Sequence, residues 1–176
     1  MSITLHVIQA SDWLACKAIR LRALADAPDA FGSTLALESQ RDDAAWQQRL
    51  AAASASGRDL PLFAMSAAGP VGLAWAKADV ADPGRVDLFQ MWVAPECRGQ
   101  GIGHALLQHA IGWARAREAT CLHLGVTCGD TPARRLYARA GFVVAGPPVP
   151  LREGSPLLAL DMKLFLGQGQ SITPGV

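Results

Sequence analysis

The run Arg98-Gly99-Gln100-Gly101-Ile102-Gly103 sets an arginine and three glycines between a strand-like stretch and a helix-like one, a placement suited to holding an anion. Val86 to Val93 is apolar and rich in β-branched and aromatic residues, as a buried strand is, and Pro95 stops its continuation. From the loop onward Ile102, Leu106, Ala110 and Ala114 recur every fourth position, as on one face of a helix. The first amide N–H groups of a helix lack carbonyl partners and lie at the positive end of its dipole, so a phosphate placed there gains several donors. The loop is not of the Walker type, because Gly103 leads into His104 and Ala105 rather than into Lys and Ser or Thr. Nor is it a dinucleotide fingerprint, whose third glycine would fall on His104 or Leu106.

Further on, Leu122 to Val126 reads as a second strand, followed by Asp130-x-x-Ala133-x-x-Leu136-Tyr137-x-x-x-Gly141-Phe142. Arg98-x-x-Gly101-x-Gly103 and this block resemble, in the same order, two signatures of the GNAT superfamily of acyl-CoA-dependent N-acyltransferases. Those signatures are Gln/Arg-x-x-Gly-x-Gly/Ala after a strand and Asn-x-x-Ala-x-x-Leu-Tyr-x-x-x-Gly-Phe. Asp130 departs from the commoner Asn. Leu21 to Ser33 is similar, more loosely, to a stretch of many bacterial members.

The resemblance implies direct transfer of an acetyl group from acetyl-CoA to the primary amine of a small molecule or amino acid, in one ternary complex and without a metal. It makes Arg98, Gly99, Gln100, Gly101, Ile102 and Gly103 the pyrophosphate site, and pairs the pantetheine with the backbone of Met91, Trp92 and Val93. Such a reaction needs a neutral amine, a polarised carbonyl and a proton for the departing thiolate. The resemblance gives that proton to Tyr137, the chain's only tyrosine. Asp130 is expected to cap the helix opening at Thr131-Pro132 and to touch pantetheine second; Arg134 and Arg135 follow, on solvated surface or within reach of the coenzyme's phosphates.

The base is less sharply marked. Many family members use a Glu on the first central strand, where this chain offers Asp87, with Gln90 nearer the loop. His123 is a proton relay or a satisfied interior histidine, and water can also serve as the base. Glu38, on the loop before the second helix, is a contact for a cationic acceptor or a solvated carboxylate. Cys97 reads as loop filling, since no His and carboxylate are placed around it as a nucleophile needs. Two other functions share these residues: acetylation of a protein N-terminus or lysine, which needs an open groove between 30–41 and 146–155, and a non-catalytic acyl-CoA sensor.

These residues need a scaffold, and the pattern supplies one. Ile3 to Ile8 alternates as a strand, and a helix runs from Asp12 toward Ala25 with Trp13, Leu14, Ala18 and Leu21 as its inner side. A second helix follows Asp43 and fades over 51–57. Pro61–Ala67 and Val71–Val80 form a hairpin about Gly69-Pro70, and Leu157–Phe165 is a last strand after the proline-rich loop at 147–150. The expectation is a single α/β domain over 1–166 and a flexible tail over 167–176. The resemblance adds a mixed, mostly antiparallel sheet of about seven strands with flanking helices, whose central strands splay to admit the coenzyme.

Composition narrows the partners. The chain has 176 residues, is 51% hydrophobic and 18% charged, and carries a formal charge of +1. That is enough for one sizeable core, and its scattered basic residues make no electrostatic case for nucleic acid or a membrane surface. Without a basic leader or a run of spanning length, a cytoplasmic location is expected, with the four cysteines reduced and no metal-ligand clustering. A homodimer is common for such domains by resemblance.

Overall fold

β2 (Asp59–Ser66), β3 (Gly69–Ala78) and β4 (Arg85–Val93) form an antiparallel meander whose small residues decide which helix lies on it. Along β3 the residues facing α4 (Ile102–Ala116) are Gly72, Ala74, Ala76 and Ala78, and a Cβ on Gly72 would lie 3.1 Å from Leu106 and 3.3 Å from Ile102. The helix therefore sits close on the sheet, and Ile102, Leu106, Ala110 and Ala114 are all buried there, as their spacing predicts. On the opposite face Trp92 of β4 bonds Asp26 at the end of α1 (Trp13–Asp26).

The computed structural model describes residues 2–167. Of the expected flexible tail, residues 168–176 lie outside the described residues. Around the meander stand β1 (Thr4–Val7), β5 (Cys121–Thr127), β6 (Val143–Val144), β7 (Val149–Pro150) and β8 (Leu158–Phe165). The strand order is β1-β2-β3-β4-β5-β8-β6, with β7 also pairing β8. Every pairing is antiparallel except β4–β5. This is the expected open, mostly antiparallel mixed sheet.

Two irregularities shape the middle of the sheet. The parallel pairing of β4 and β5 covers only Arg85–Leu88 against Cys121–Leu124, although β4 continues to Val93 and β5 to Thr127. The strands part beyond Leu88 and leave the β5-facing edge of 89–93 without a strand partner. At that point the β3–β4 register slips, and Gln90 takes a φ of 58°, a left-handed conformation unusual for a side chain of its kind.

Local chemistry sets the helix ends. Asp42 accepts from the Ala45 amide at 2.8 Å to start α3 (Asp43–Ser56), which runs on through the alanine-rich stretch to a left-handed Gly57. Three readings are corrected. α1 buries Cys16, Ile19, Arg20, Ala23 and Leu24 rather than Trp13, Leu14, Ala18 and Leu21, because its inward stripe includes a charged residue. A short helix, α2 (Leu35–Ser39), occupies the stretch read as a loop, capped by Thr34, and the loop at 147–150 contains β7.

Candidate active site

The glycine loop delivers an amide cradle at the end of β4. Gly99 and Gly101 have φ of 75° and 81°, and a Cβ built on either would meet nothing within 4 Å. The space above them is open, and their conformations suit glycine. Gly101 is the residue at which α4 begins, so the amides of Ile102, Gly103 and His104 point out of the helix start without intrahelical acceptors. Ile102 gives only its amide, its side chain being in the core; Gln100 is exposed. Gly103 packs its α-carbon against α5 (Pro132–Arg139), where a Cβ would lie 3.4 Å from Leu136.

Arg98 does not point its charge at that space. Its Nε donates to the Val93 carbonyl at 2.9 Å, and its terminal nitrogen pairs with the Asp26 carboxylate, which also accepts from Trp92 Nε1. The arginine fastens the loop to β4 and α1.

Behind the parting of β4 and β5 lies a cleft of about 890 Å³, whose lining includes Gln90, Met91, Gly125 and Tyr137 together with Arg49, Asp59 and Trp75. Tyr137 is buried, with its ring tilted against Phe142 at 5.9 Å between centroids. Burial raises its phenol well above the ordinary value, so the hydroxyl keeps its proton throughout the neutral range. The cleft is closed along one side by a clasp: Arg152 Nη1 donates to the carbonyls of Pro28 at 3.0 Å and Phe31 at 2.9 Å. That joins the segment before α2 to the one after β7, the two segments whose separation a peptide groove would need.

The remaining expected residues fall differently. Asp130 is exposed and pairs with Arg135 at 2.7 Å, while the cap of α5 is Thr131, whose Oγ1 accepts from the Arg134 amide. An N-cap side chain must reach two or three residues ahead, and Thr131 is the residue so placed. Arg134 donates to the Gly129 carbonyl. Asp87 is held by Arg85 through contacts of 2.7 to 3.1 Å and stands apart from the residues that line the cleft, since it sits where β4 is still paired to β5. His123, its neighbour in register, lies 3.3 Å from Asp161. Glu38 is neither on a loop nor solvated: it lies on α2, is buried, and its carboxylate is 2.8 Å from Arg20 and 3.5 Å from Arg41.

Residues 23–142 match the model of the acetyltransferase (GNAT) family. This chain belongs to that family. Among curated proteins, it is 41% identical over 71 residues to a streptothricin acetyltransferase of Streptomyces lavendulae, a match covering 40% of this chain and 38% of that protein. The chain thus aligns with under half the length of that relative. Among solved structures, a GNAT-family acetyltransferase from Streptococcus pneumoniae superposes with a TM-score of 0.79 at 21% identity, covering 93% of this chain and 99% of that one. A GNAT phosphinothricin acetyltransferase from Sinorhizobium meliloti, solved with acetyl-CoA, superposes with a TM-score of 0.75 at 22% identity, covering 99% and 94%. The family match and the shared fold agree on an acetyltransferase (GNAT) family domain.

The GNAT signatures mark the cradle and Tyr137, and leave out much of the cleft. Gln90 at the bulge, Arg20 on α1, Arg41 between α2 and α3, Arg49 on α3, and the Asp59–Trp75 pair meet only through the fold. Sequence offers no signal for them: the side of α1 expected to face inward, Trp13, Leu14, Ala18 and Leu21, leaves Arg20 out.

Proposed function

We propose that this protein transfers an acetyl group from acetyl-CoA directly to the primary amine of a small molecule. The observation that carries the reading is the parting of β4 and β5 beyond Leu88, with the glycine cradle at the end of one strand and Tyr137 buried beside the other. The residues fit the coenzyme: outward amides and open space at Gly99 and Gly101 suit a pyrophosphate, and the edge through Met91, Trp92 and Val93, which has no strand partner on that side, suits the amides of pantetheine. When bound, acetyl-CoA supplies the activated thioester carbonyl.

The chain's own contribution is position and one proton. Tyr137 holds its proton at Oη in an apolar setting and gives it to the departing sulfur. Both carboxylates in the cleft are already engaged: Glu38 with Arg20, and Asp59 with Trp75 Nε1 at 2.8 Å and Ser56 Oγ at 2.7 Å. We therefore assign the amine's proton to water rather than to Asp87. The Arg152 clasp favours a small acceptor over a peptide, since it bridges the route an extended chain would follow.

Thiol release from acetyl-CoA tests the reading across small amines, amino acids, polyamines, aminoglycosides and short peptides, alongside calorimetric binding of the coenzyme. Amine-dependent release and tight binding are expected, with Gly101→Asp abolishing both, because it forces a left-handed φ on an L-residue and adds a negative charge to the cradle. Binding that survives Gly101→Asp sinks the cradle assignment. Binding without release for every acceptor sinks the enzymatic one in favour of a sensor.

A further inference from the structure

The charges in the cleft are unbalanced in one direction. Five basic side chains line it, Arg20, Arg41, Arg49, Arg58 and Lys77, against two carboxylates, Glu38 and Asp59. The whole chain carries only +1, so this excess is local. Neither carboxylate is available to an ammonium group. Glu38 is taken by Arg20 and Arg41, and Asp59 by Trp75 and Ser56, with Lys77 a further 3.8 Å away.

Several cations lack equal partners. Arg49 is half-buried, lies over the Trp75 ring at 5.0 Å, and makes no ion pair among the described residues. Burial, and then the neighbouring charge of Arg41, push its guanidinium below the ordinary value, so it is held there against its preference. Arg20, whose side chain is 5% exposed and which also lines the cleft, leaves Nη1 without a hydrogen-bond partner. Buried donors of this kind are ordinarily satisfied. None of these residues belongs to the glycine cradle, so the cluster is separate from the phosphate site.

We propose that the acceptor is an amine that also bears an anionic group, a carboxylate or a phosphonate-type oxyanion, held by the Arg49–Arg41–Arg20 cluster while its amine faces Tyr137 and Gln90. This deepens the acetyltransferase reading and rests on it. Arginine's planar fork matches such oxyanions, and a cleft of this charge repels a polycationic acceptor. The acceptor class is thus the amino acid or amino-phosphonate, rather than the polyamine or aminoglycoside.

The test compares matched acceptors at fixed acetyl-CoA: α-amino acids against their amides, an aminoalkylphosphonate against a neutral amine of equal length, and spermidine. Charge-assisted hydrogen bonds predict a kcat/KM roughly 10- to 100-fold higher for the anionic member of each pair, and Arg49→Gln should raise its KM by a comparable factor while calorimetric acetyl-CoA affinity stays the same. Turnover of neutral or cationic amines equal to that of the anionic ones overturns this proposal and leaves the acetyltransferase reading intact. Loss of acetyl-CoA affinity in Arg49→Gln overturns it too, by assigning the cluster to the coenzyme. If no acceptor turns over, binding of N-acetyl amino acids against N-acetyl amides in the presence of CoA decides, and equal or absent affinity overturns it. Failure to bind acetyl-CoA at all removes the underlying reading instead.

Discussion

Arg98 turns away from the cradle it introduces: its Nε donates to the Val93 carbonyl at 2.9 Å and its terminal nitrogen pairs with Asp26. The bond from Trp92, and then the charge of Arg98, hold the Asp26 carboxyl below its ordinary value. If the arginine works by fastening the loop, Asp26→Asn weakens acetyl-CoA binding as Arg98→Ala does, each by roughly fivefold for the loss of about one net hydrogen bond. If Arg98 instead reached the phosphates, Asp26→Asn would release it and hold or tighten binding. Calorimetry on the two variants separates these outcomes.

Tyr137→Phe removes the proposed proton donor without changing the shape of the cleft. A drop in kcat of about 100-fold is expected, with acetyl-CoA affinity changed by less than about twofold. The wild-type kcat should rise with pH as the acceptor amine loses its proton. It should then stay level to about pH 10, because burial raises the phenol beyond that range. A kcat within threefold of wild type in the Phe variant removes Tyr137 from the chemistry.

The parts legible in the sequence were those set by local backbone chemistry. The glycine loop, the four-residue spacing of α4 and the Leu136-Tyr137 helix each depend on a few consecutive residues, and the structure places them as read. The GNAT resemblance also carried the parting of β4 and β5, which no periodicity encodes. What stayed hidden depends on side-chain pairing and strand register, which the fold decides. Glu38 reads as solvated until α1 brings Arg20, 18 positions away, against it. Asp87 reads as a base until its own neighbour Arg85 is seen to hold it, and Gln90 carries no mark of a left-handed residue. The basic cleft is illegible for the same reason: its members lie far apart in the chain and each alone looks like ordinary surface.

Cys16 gives the fold a defined weakness at alkaline pH. It is buried under α3, and desolvation raises its thiol from 9.0 to about 11. In the unfolded chain the thiol releases its proton near 9, so the native state binds more protons between 9 and 11. Stability is therefore complete below pH 9 and falls as pH rises toward 11, by at most about 1.4 kcal/mol per pH unit. Cys16→Ala has a cavity cost at every pH but lacks this slope. Urea unfolding at pH 8 and pH 10.5 should show the wild type losing more stability between the two than the variant; equal losses would place the alkaline sensitivity elsewhere.

The Arg20–Glu38 pair separates stability from recognition. Burial alone would raise the Glu38 carboxyl, but the hydrogen bonds and charge of Arg20 bring it below its ordinary 4.5. Its contribution is then present above that pH and is lost as pH falls through the lowered native value. Glu38→Gln leaves the Arg20 charge buried without its counterion, a change that costs about 3–5 kcal/mol and lowers Tm by roughly 10 °C. Arg20→Met with Glu38→Leu replaces the pair by apolar side chains of similar size and should recover most of that loss, with a shallower acid transition. If the pair also sets the acceptor end of the cleft, the double variant melts near wild type yet needs more anionic acceptor to reach half-maximal rate. Recovery of both Tm and KM would reduce the pair to a structural element, whereas recovery of Tm alone ties the buried arginine to the acceptor.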